Sequence, residues 1–227
     1  MNDTQNSAPS ILAIFDLDNT LLGGDSDHAW GEFLIEQQLV DPKEHQRKND
    51  AFYNDYLHGK LDMHAYLCFA LAILSNKTPQ TLKPLHDKFM AEVIKPMLLP
   101  AAQQLLKQHR EKGHYLLIIT ATNHFITEPI AQLLGVDGLL ASDAEMIDGH
   151  YTGKPQGTPC YHEGKVTRLN TWLQDKNFTL ADAYFYSDSH NDIPLLEAVG
   201  KPIAVDPDDK LRNHAAIHHW PVISLRS

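Results

Sequence analysis

The pattern of apolar and polar positions divides the chain into two kinds of segment. In "ILAIFDLDNTLL", the apolar run Ile11–Phe15 has the length of a strand and stops at two acids, Asp16 and Asp18. "HYLLIITAT", from His114 to Thr122, is almost wholly apolar, as expected of a strand covered on both faces. Between these runs, roughly 70 residues carry apolar positions at helical spacing without strand-like alternation. Helices are predicted where Ser26 or Asp27 can cap a segment carrying Ala29, Trp30, Phe33 and Leu34, then over Glu44–Leu57, over Leu61–Leu74, and from Thr78 to about Met90 with Pro79 in the first turn. Pro96 to Pro100 marks the exit from this stretch.

Beyond it, Ala101–Lys112 reads as a helix stopped by Gly113, and Asn123 caps a helix ending at Gly135. Short runs at Gly138–Ala141, Ala183–Ser187 and Pro202–Val205 read as strands, with helices after Glu163 and Asn191. The alternation predicts an α/β fold: a Rossmann-like, mostly parallel sheet with helices on both faces and a small helical cap inserted after the first strand. The expected division is a core from residues 1–22 and 97–227 and a cap from 23–96. "EMIDGHYTGKPQGTPCYHEGK", rich in Gly and Pro with Tyr and Ile, predicts a β-hairpin or flap.

Composition narrows the function classes. With 227 residues and 43% hydrophobic content the chain can bury a sizeable core, and its net charge of −10 argues against nucleic acid or an anionic membrane surface as a partner. The two cysteines, Cys68 and Cys160, provide neither a disulfide framework nor a CxxC metal pair, which suits a reducing cytoplasm. Met1–Ser10 is polar without a basic region, and the apolar run after it is broken at Asp16, too early for a signal peptide or membrane span. A cytoplasmic location is expected.

In open α/β sheets the ligand site lies outside the carboxyl ends of the strands. Asp16 and Asp18 follow the first strand, Thr120 ends the second, and Asp188 follows "AYFYS". Lys165 falls near a helix start, where a cation opposes the helix dipole unless an anion is close. Singly, each has a plainer reading: a solvated DxD turn, a strand threonine, a surface lysine, and in "SDSHND" an Asx-capped turn. "SDSHND" is not an EF-hand loop, because Ile193 and Val199 stand where the turn glycine and bidentate glutamate belong. None of the 14 histidines shows HExxH spacing, and the adjacent His218 and His219 suit a surface tail better than a metal site; His190, inside the acidic turn, is the one worth watching.

Together these groups meet the needs of a phosphate monoester, which requires an in-line nucleophile, charge neutralisation, donors to the phosphoryl oxygens and an acid for the leaving alcohol. Asp16 could attack phosphorus, and Asp18 could protonate the leaving oxygen and then activate water. Thr120 could donate to a phosphoryl oxygen and Lys165 balance charge. Magnesium, which takes oxygen ligands, would explain how the acids coexist: Asp16, the main-chain carbonyl of Asp18 and Asp188 as ligands, Asp192 holding a metal-bound water, and Asn191 as a neutral helper. On this reading Asp16 stays ionised and Asp18 carries the proton.

The order of these motifs resembles that of the haloacid dehalogenase superfamily of phosphohydrolases: "DLDNT", "IITAT", Gly164-Lys165 and "SDSHNDIPLL" follow one another across nearly the whole chain. The resemblance implies a Rossmann-like core, magnesium dependence and a phosphoaspartate intermediate on Asp16. The insert is similar to the small cap of the subgroup containing phosphoserine phosphatase, which closes over small phosphorylated metabolites. There an acid nine positions after the nucleophile meets the substrate amine, a role that Asp25 fits; Ala121, Thr122 and Asn191 fall at further substrate-binding positions. Two departures stand out: Arg47, the only cap arginine, lies earlier than the family's carboxylate-gripping position, and Thr122 replaces a glycine. An acid without the arginine clamp favours an amino alcohol phosphate such as histidinol phosphate over phosphoserine. A phosphomutase or phosphotransferase, or a non-enzymatic phospho-acceptor domain, are the alternatives; the insert and Asp18 argue against the last.

Overall fold

The computed structural model describes residues 11–226. The reading of Met1–Ser10 as a polar stretch that carries no leader, and the first ten residues of the expected core, lie outside the described residues. Seven strands form one sheet in the order β4-β3-β2-β1-β5-β6-β7. They are β1 (Leu12–Phe15), β2 (Tyr115–Asn123), β3 (Gly138–Ile147), β4 (His150–Gln156), β5 (Tyr184–Ser187), β6 (Lys201–Val205) and β7 (Val222–Ile223). All neighbours run parallel except β3 and β4.

β1 lies at the centre because its side chains are apolar on both faces. Ala13 and Phe15 join one hydrophobic cluster and Leu12 and Ile14 the other, and β2 divides likewise, with Leu116 and Ile118 on one face and Leu117 and Ile119 on the other. Fully burying such a side chain is worth about 1.5–3 kcal/mol, so a slip of one residue in register would be costly.

The insert is helical, as the periodicity predicts, with shifted boundaries. α1 (Ser26–Glu36) is capped by Asp25, whose Oδ1 accepts the N–H groups of Asp27 and His28. Neither Ser26 nor Asp27 is the cap; both are buried inside the first turn. α2 (Pro42–Leu57) starts before Glu44 because Asp41 caps it and Pro42 suits its first turn. α3 (Met63–Leu71) is capped by Asp62 and ends in a 3₁₀ turn, Ala72–Leu74. α4 (Pro79–Phe89) starts at a reciprocal cap between Thr78 and Thr81, and the chain stays helical past Met90 through a π-helical turn, Met90–Ile94, and a short α5 (Lys95–Met97).

Where the chain leaves and regains the sheet layer, Leu22 and Leu98 form an isolated antiparallel bridge, and the Gly23 N–H donates to the Met97 carbonyl at 2.7 Å. Trp30, Phe33 and Phe89 of the insert pack together, and the Trp30 ring also meets Phe125, so one apolar cluster runs from the insert onto the sheet.

The remaining helices are α6 (Pro100–Glu111), α7 (His124–Leu134), α8 (Glu163–Leu173), α9 (Ile193–Ala198) and α10 (Asp209–His218). Asn123 caps α7 and Gly135 ends it in the left-handed region, φ 66°. The flap is a true hairpin: β3 runs well beyond Ala141, and Asp148-Gly149, both with positive φ (49° and 76°), turns it into β4. The hairpin is bound to the insert, since the Asn76 N–H donates to the Tyr151 carbonyl at 2.8 Å and the Tyr151 N–H to Lys77 at 2.9 Å. Two elements, α10 and β7, lack a predicted counterpart. In α10 only Leu211 and Ala215 are buried, too sparse a stripe to stand out in sequence. His218 therefore closes a helix and His219 is its left-handed C-cap, so the pair is not a loose tail. No helix among the described residues is long and apolar enough to cross a membrane.

Candidate active site

The carboxyl ends of β1, β2 and β5 converge below the insert, and the predicted residues meet there. Asp16 directly follows β1, with its N–H donating to the Tyr186 carbonyl at 2.9 Å. Lys165, in the first turn of α8, places Nζ 2.8 Å from Asp16 Oδ1 and 2.8 Å from a carboxylate oxygen of Asp192. All three are buried, which explains a lysine at a helix N-terminus: two carboxylates outweigh the dipole.

Asp18 is held differently. Its Oδ1 accepts the Ser26 N–H at 2.6 Å, and its Oδ2 accepts the Thr122 hydroxyl at 2.7 Å, with Thr120 Oγ1 3.5 Å away. Thr122, which the resemblance marks as a departure from glycine, is thus a ligand of the Asp18 carboxylate. Ala121 lines the same cleft, and its carbonyl accepts the Ser142 hydroxyl at 2.8 Å.

Asp188 accepts the Thr20 hydroxyl at 3.0 Å and returns its own N–H to Thr20 Oγ1 at 3.1 Å. Asp192 is fastened by Lys165 and by the Ser187 hydroxyl at 2.7 Å. Thr20 and Ser187 had no assigned role in the sequence reading; the DxDxT spacing contained the first, whereas the second is recognisable only from its contact.

Electrostatics separate these acids. Burial raises Asp16 to about 7 despite Lys165, and Asp192 adds to the rise. Asp18 is raised to about 6, by burial and then by Asp25, while the Ser26 and Thr122 donors hold it down. Burial is the largest cause for both acids, so in the metal-free protein each holds its proton well above the ordinary carboxylate range. Asp188 stands well above the usual carboxylate range through burial and the charges of Asp16 and Asp192. Burial opposes the Lys165 charge, but Asp16 and Asp192 prevail and hold its pKa above normal.

Above the acids is a cleft lined by Asp16, Asp18, Thr120, Ala121 and Thr122 from the sheet side and by Asp25, Asp27, His28 and the rings of Phe52, Tyr53, Tyr56 and Tyr66 from the insert. Among the described residues lining it there is no Lys or Arg. Arg47 is exposed on α2 and does not reach it. Asp27, which the sequence reading passed over except as a cap, is buried with Oδ1 unpartnered. Its carboxyl is pushed well above the ordinary range by burial and by Asp25, with the Tyr66 hydroxyl beside it.

Asn191 does not line this cleft. It ties the sheet to the insert, donating from Nδ2 to the Tyr56 carbonyl at 3.2 Å while its Oδ1 meets Tyr161 and His162, each at 3.2 Å. His190 faces Asp208 at 2.7 Å and Lys210 at 3.2 Å, outside the acid cluster.

Comparison with known proteins agrees with this geometry. Residues 13–197 match the family model of haloacid dehalogenase-like hydrolases, and the chain belongs to that family. A protein named histidinol-phosphatase, from Neisseria meningitidis serogroup C, is 45% identical over 219 residues, spanning 95% of this chain and 99% of the relative. A crystal structure of a Bordetella pertussis Tohama I protein of unknown function superposes with a TM-score of 0.89 at 44% identity, over 96% of this chain and all (100%) of the other. A phosphoserine phosphatase solved as a phospho-aspartyl intermediate analogue has the same fold, with a TM-score of 0.70 at 17% identity over 96% of this chain and 94% of its own.

Proposed function

We propose that this haloacid dehalogenase-like hydrolase cleaves the phosphate monoester of a small amino alcohol, with histidinol phosphate as the best-fitting substrate, through a phosphoaspartate on Asp16. The observation that carries the substrate reading is the lining of the cleft: acids and aromatic rings on the insert side and no Lys or Arg among the described residues. A carboxylate-bearing substrate such as phosphoserine would meet like charge there without a cationic partner, whereas an amine and an aromatic ring would be matched. Asp25, capping α1 through Oδ1, faces the cleft and suits the amine. Asp27 with Tyr66, lying among the rings, suits the N–H of an imidazole. The name of the Neisseria relative points the same way.

Asp16 attacks phosphorus as the leaving oxygen takes the proton of Asp18, giving the free alcohol and an aspartyl phosphate. Asp18, now ionised, takes a proton from water as that water attacks phosphorus, which releases phosphate and restores Asp16. A pKa of about 6 places Asp18 close to neutrality for both transfers. Lys165, fixed between Asp16 and Asp192, offsets the charge of the nucleophile and the phosphoryl group. Thr120, three residues inside the end of β2 and lining the cleft, is a donor for a phosphoryl oxygen. We assign residues 23–96 to the cap that excludes water over this step.

Phosphatases of this family generally use Mg²⁺, and the residues here suit it. Asp188 is a half-buried carboxylate that, among the described residues, no Lys or Arg pairs, close enough to Asp16 and Asp192 for their charges to raise it. Asp16, Asp188 and the main-chain carbonyl of Asp18 would hold the ion, with Asp192 toward its water shell. When bound, it supplies positive charge to the transferring phosphoryl group and favours the ionised form of both carboxylates.

A panel of phosphomonoesters tests the reading. The expected result is phosphate release without any added acceptor, loss of turnover on chelation with recovery on Mg²⁺, and kcat/KM for histidinol phosphate about 10²-fold above that for phosphoserine, or ~2.8 kcal/mol of discrimination. Preference for phosphoserine would refute the substrate assignment, and a requirement for an alcohol acceptor would make the protein a phosphotransferase.

A further inference from the structure

α9 and α10 both start at the cleft edge, at Asp192 and Asp208, and run back along the sheet. Their last turns lie toward the opposite edge, where Glu197, His219 and Trp220 line a hollow with Tyr184 and Lys201, the first residues of β5 and β6. There Glu197 of α9 meets His214 and His218 of α10, with one donor atom from each residue within 4.8 Å of the others. We infer that these three residues form a site for a divalent transition-metal ion of the zinc class, separate from the magnesium-type site in the cleft.

The spacing of the histidines is the first reason. Positions i and i+4 place both imidazoles on one face of α10, where their rings stack at 4.2 Å and 22°. The second is the contact between His214 Nε2 and Glu197 Oε1. They are 3.1 Å apart, yet Nε2 is buried without a hydrogen-bond partner, so the ring nitrogen and the carboxylate are close without an N–H directed between them. Two donors sharing one ion at about 2.0–2.2 Å stand at such a separation.

The third is rigidity behind the ligands. Leu195 and Leu196 of α9 and Leu211 and Ala215 of α10 are buried, anchoring both helices. Trp220, fixed by its N–H to the Ala215 carbonyl at 2.8 Å, packs against both imidazoles at 4.9 and 5.5 Å. Glu197 and His218 are exposed and can turn to close on an ion. Two nitrogens and one carboxylate suit zinc, cobalt or nickel better than magnesium, and three protein ligands leave a position for water. A bound ion would staple the last turn of α9 to that of α10.

The test is titration of the full-length protein with Zn²⁺ or Co²⁺ in excess Mg²⁺, followed by calorimetry, the visible spectrum of Co²⁺ and thermal unfolding. One ion should bind per chain, with a Co²⁺ spectrum of low coordination number and a rise in Tm of roughly 5 °C at a hundredfold excess over Kd. His218→Ala and His214→Ala should abolish the shift and spectrum while Mg²⁺-supported phosphate release is unchanged, and Glu197→Gln should weaken binding. Asp16→Asn should leave Zn²⁺ binding intact. Absence of binding to the native protein, binding that survives both histidine variants, or binding lost in Asp16→Asn would each overturn the assignment. His218 is exposed, so its variant tests the site even if His214→Ala does not fold.

Discussion

The two ends of the cleft treat their acids in opposite ways. At the strand ends each carboxylate is fastened: Asp16 by Lys165 at 2.8 Å, Asp18 by Ser26 of the insert and Thr122 of the sheet at 2.6 and 2.7 Å, Asp188 by Thr20 at 3.0 Å, and Asp192 by Ser187 at 2.7 Å. Under the insert, Asp27 is just as deeply buried but keeps Oδ1 unpartnered, and Asp25 uses only Oδ1 for its cap. A fastened acid has a fixed position and a defined proton affinity, which the chemistry of any phosphate ester requires. An unpartnered buried acid costs free energy until a ligand supplies a donor, which makes it a source of selectivity. In the proposed reaction the same residue type serves the chemistry at one end and discrimination at the other.

The largest effects should come from the fastened end. Asp16→Asn should lower kcat by about 10⁴-fold or more, measured as phosphate release, because no other group can form the acyl phosphate. Retained turnover would remove Asp16 from its role. Asp18→Asn should cost about 10²–10³-fold in kcat, and less for an ester with a good leaving group such as a nitrophenol. If both esters lose equally, Asp18 is not the acid.

The open end should respond in specificity rather than in rate. Asp27→Asn should lower kcat/KM for histidinol phosphate by about tenfold and leave turnover of a small ester without a cation unchanged, with the loss mainly in KM. The same variant has a stability signature. Asp27 has a folded pKa raised above its unfolded value, so its contribution is complete below the ordinary carboxylate range and is lost as pH rises through the folded pKa. Asp27→Asn should therefore unfold at a higher temperature than the native protein at pH 8, with the difference vanishing near pH 4. An equal Tm at both pH values would show that the carboxyl is not buried in the folded state. The smallest expected effect is at the joint between the two ends. Asn191→Ala removes the donor to the Tyr56 carbonyl and should reduce kcat/KM by about 3–10-fold, the worth of one hydrogen bond.

The two ends also differ in how far the sequence disclosed them. Asp16, Asp18, Thr120 and Asp188 are each set by a local rule, an apolar strand ending in a polar group, and the parallel topology brings those strand ends together. The hairpin was legible from a stretch rich in Gly and Pro with Tyr and Ile, but its Asp148-Gly149 turn was not singled out. Asp25 was not recognisable as the cap of α1, because Asp25, Ser26 and Asp27 are all good caps and only the packing that buries the last two decides among them. Asp27 and Tyr66 lie on different helices, and no local pattern joins them. α10 was missed since two buried side chains make too weak a stripe.

What the sequence by itself determined is the reaction: the order of strands, the acids at their ends and the lysine that answers them follow from short-range patterns of apolarity and charge. Only the tertiary structure decided how each acid is buried and fastened, that Asp27 keeps an oxygen unpartnered, and that His214, His218 and Glu197 meet. Proton affinity depends on burial and on donors brought from distant segments, such as the Thr122 hydroxyl on Asp18 and Lys165 on Asp16, and neither depth nor partner is a property of a residue's position along the chain.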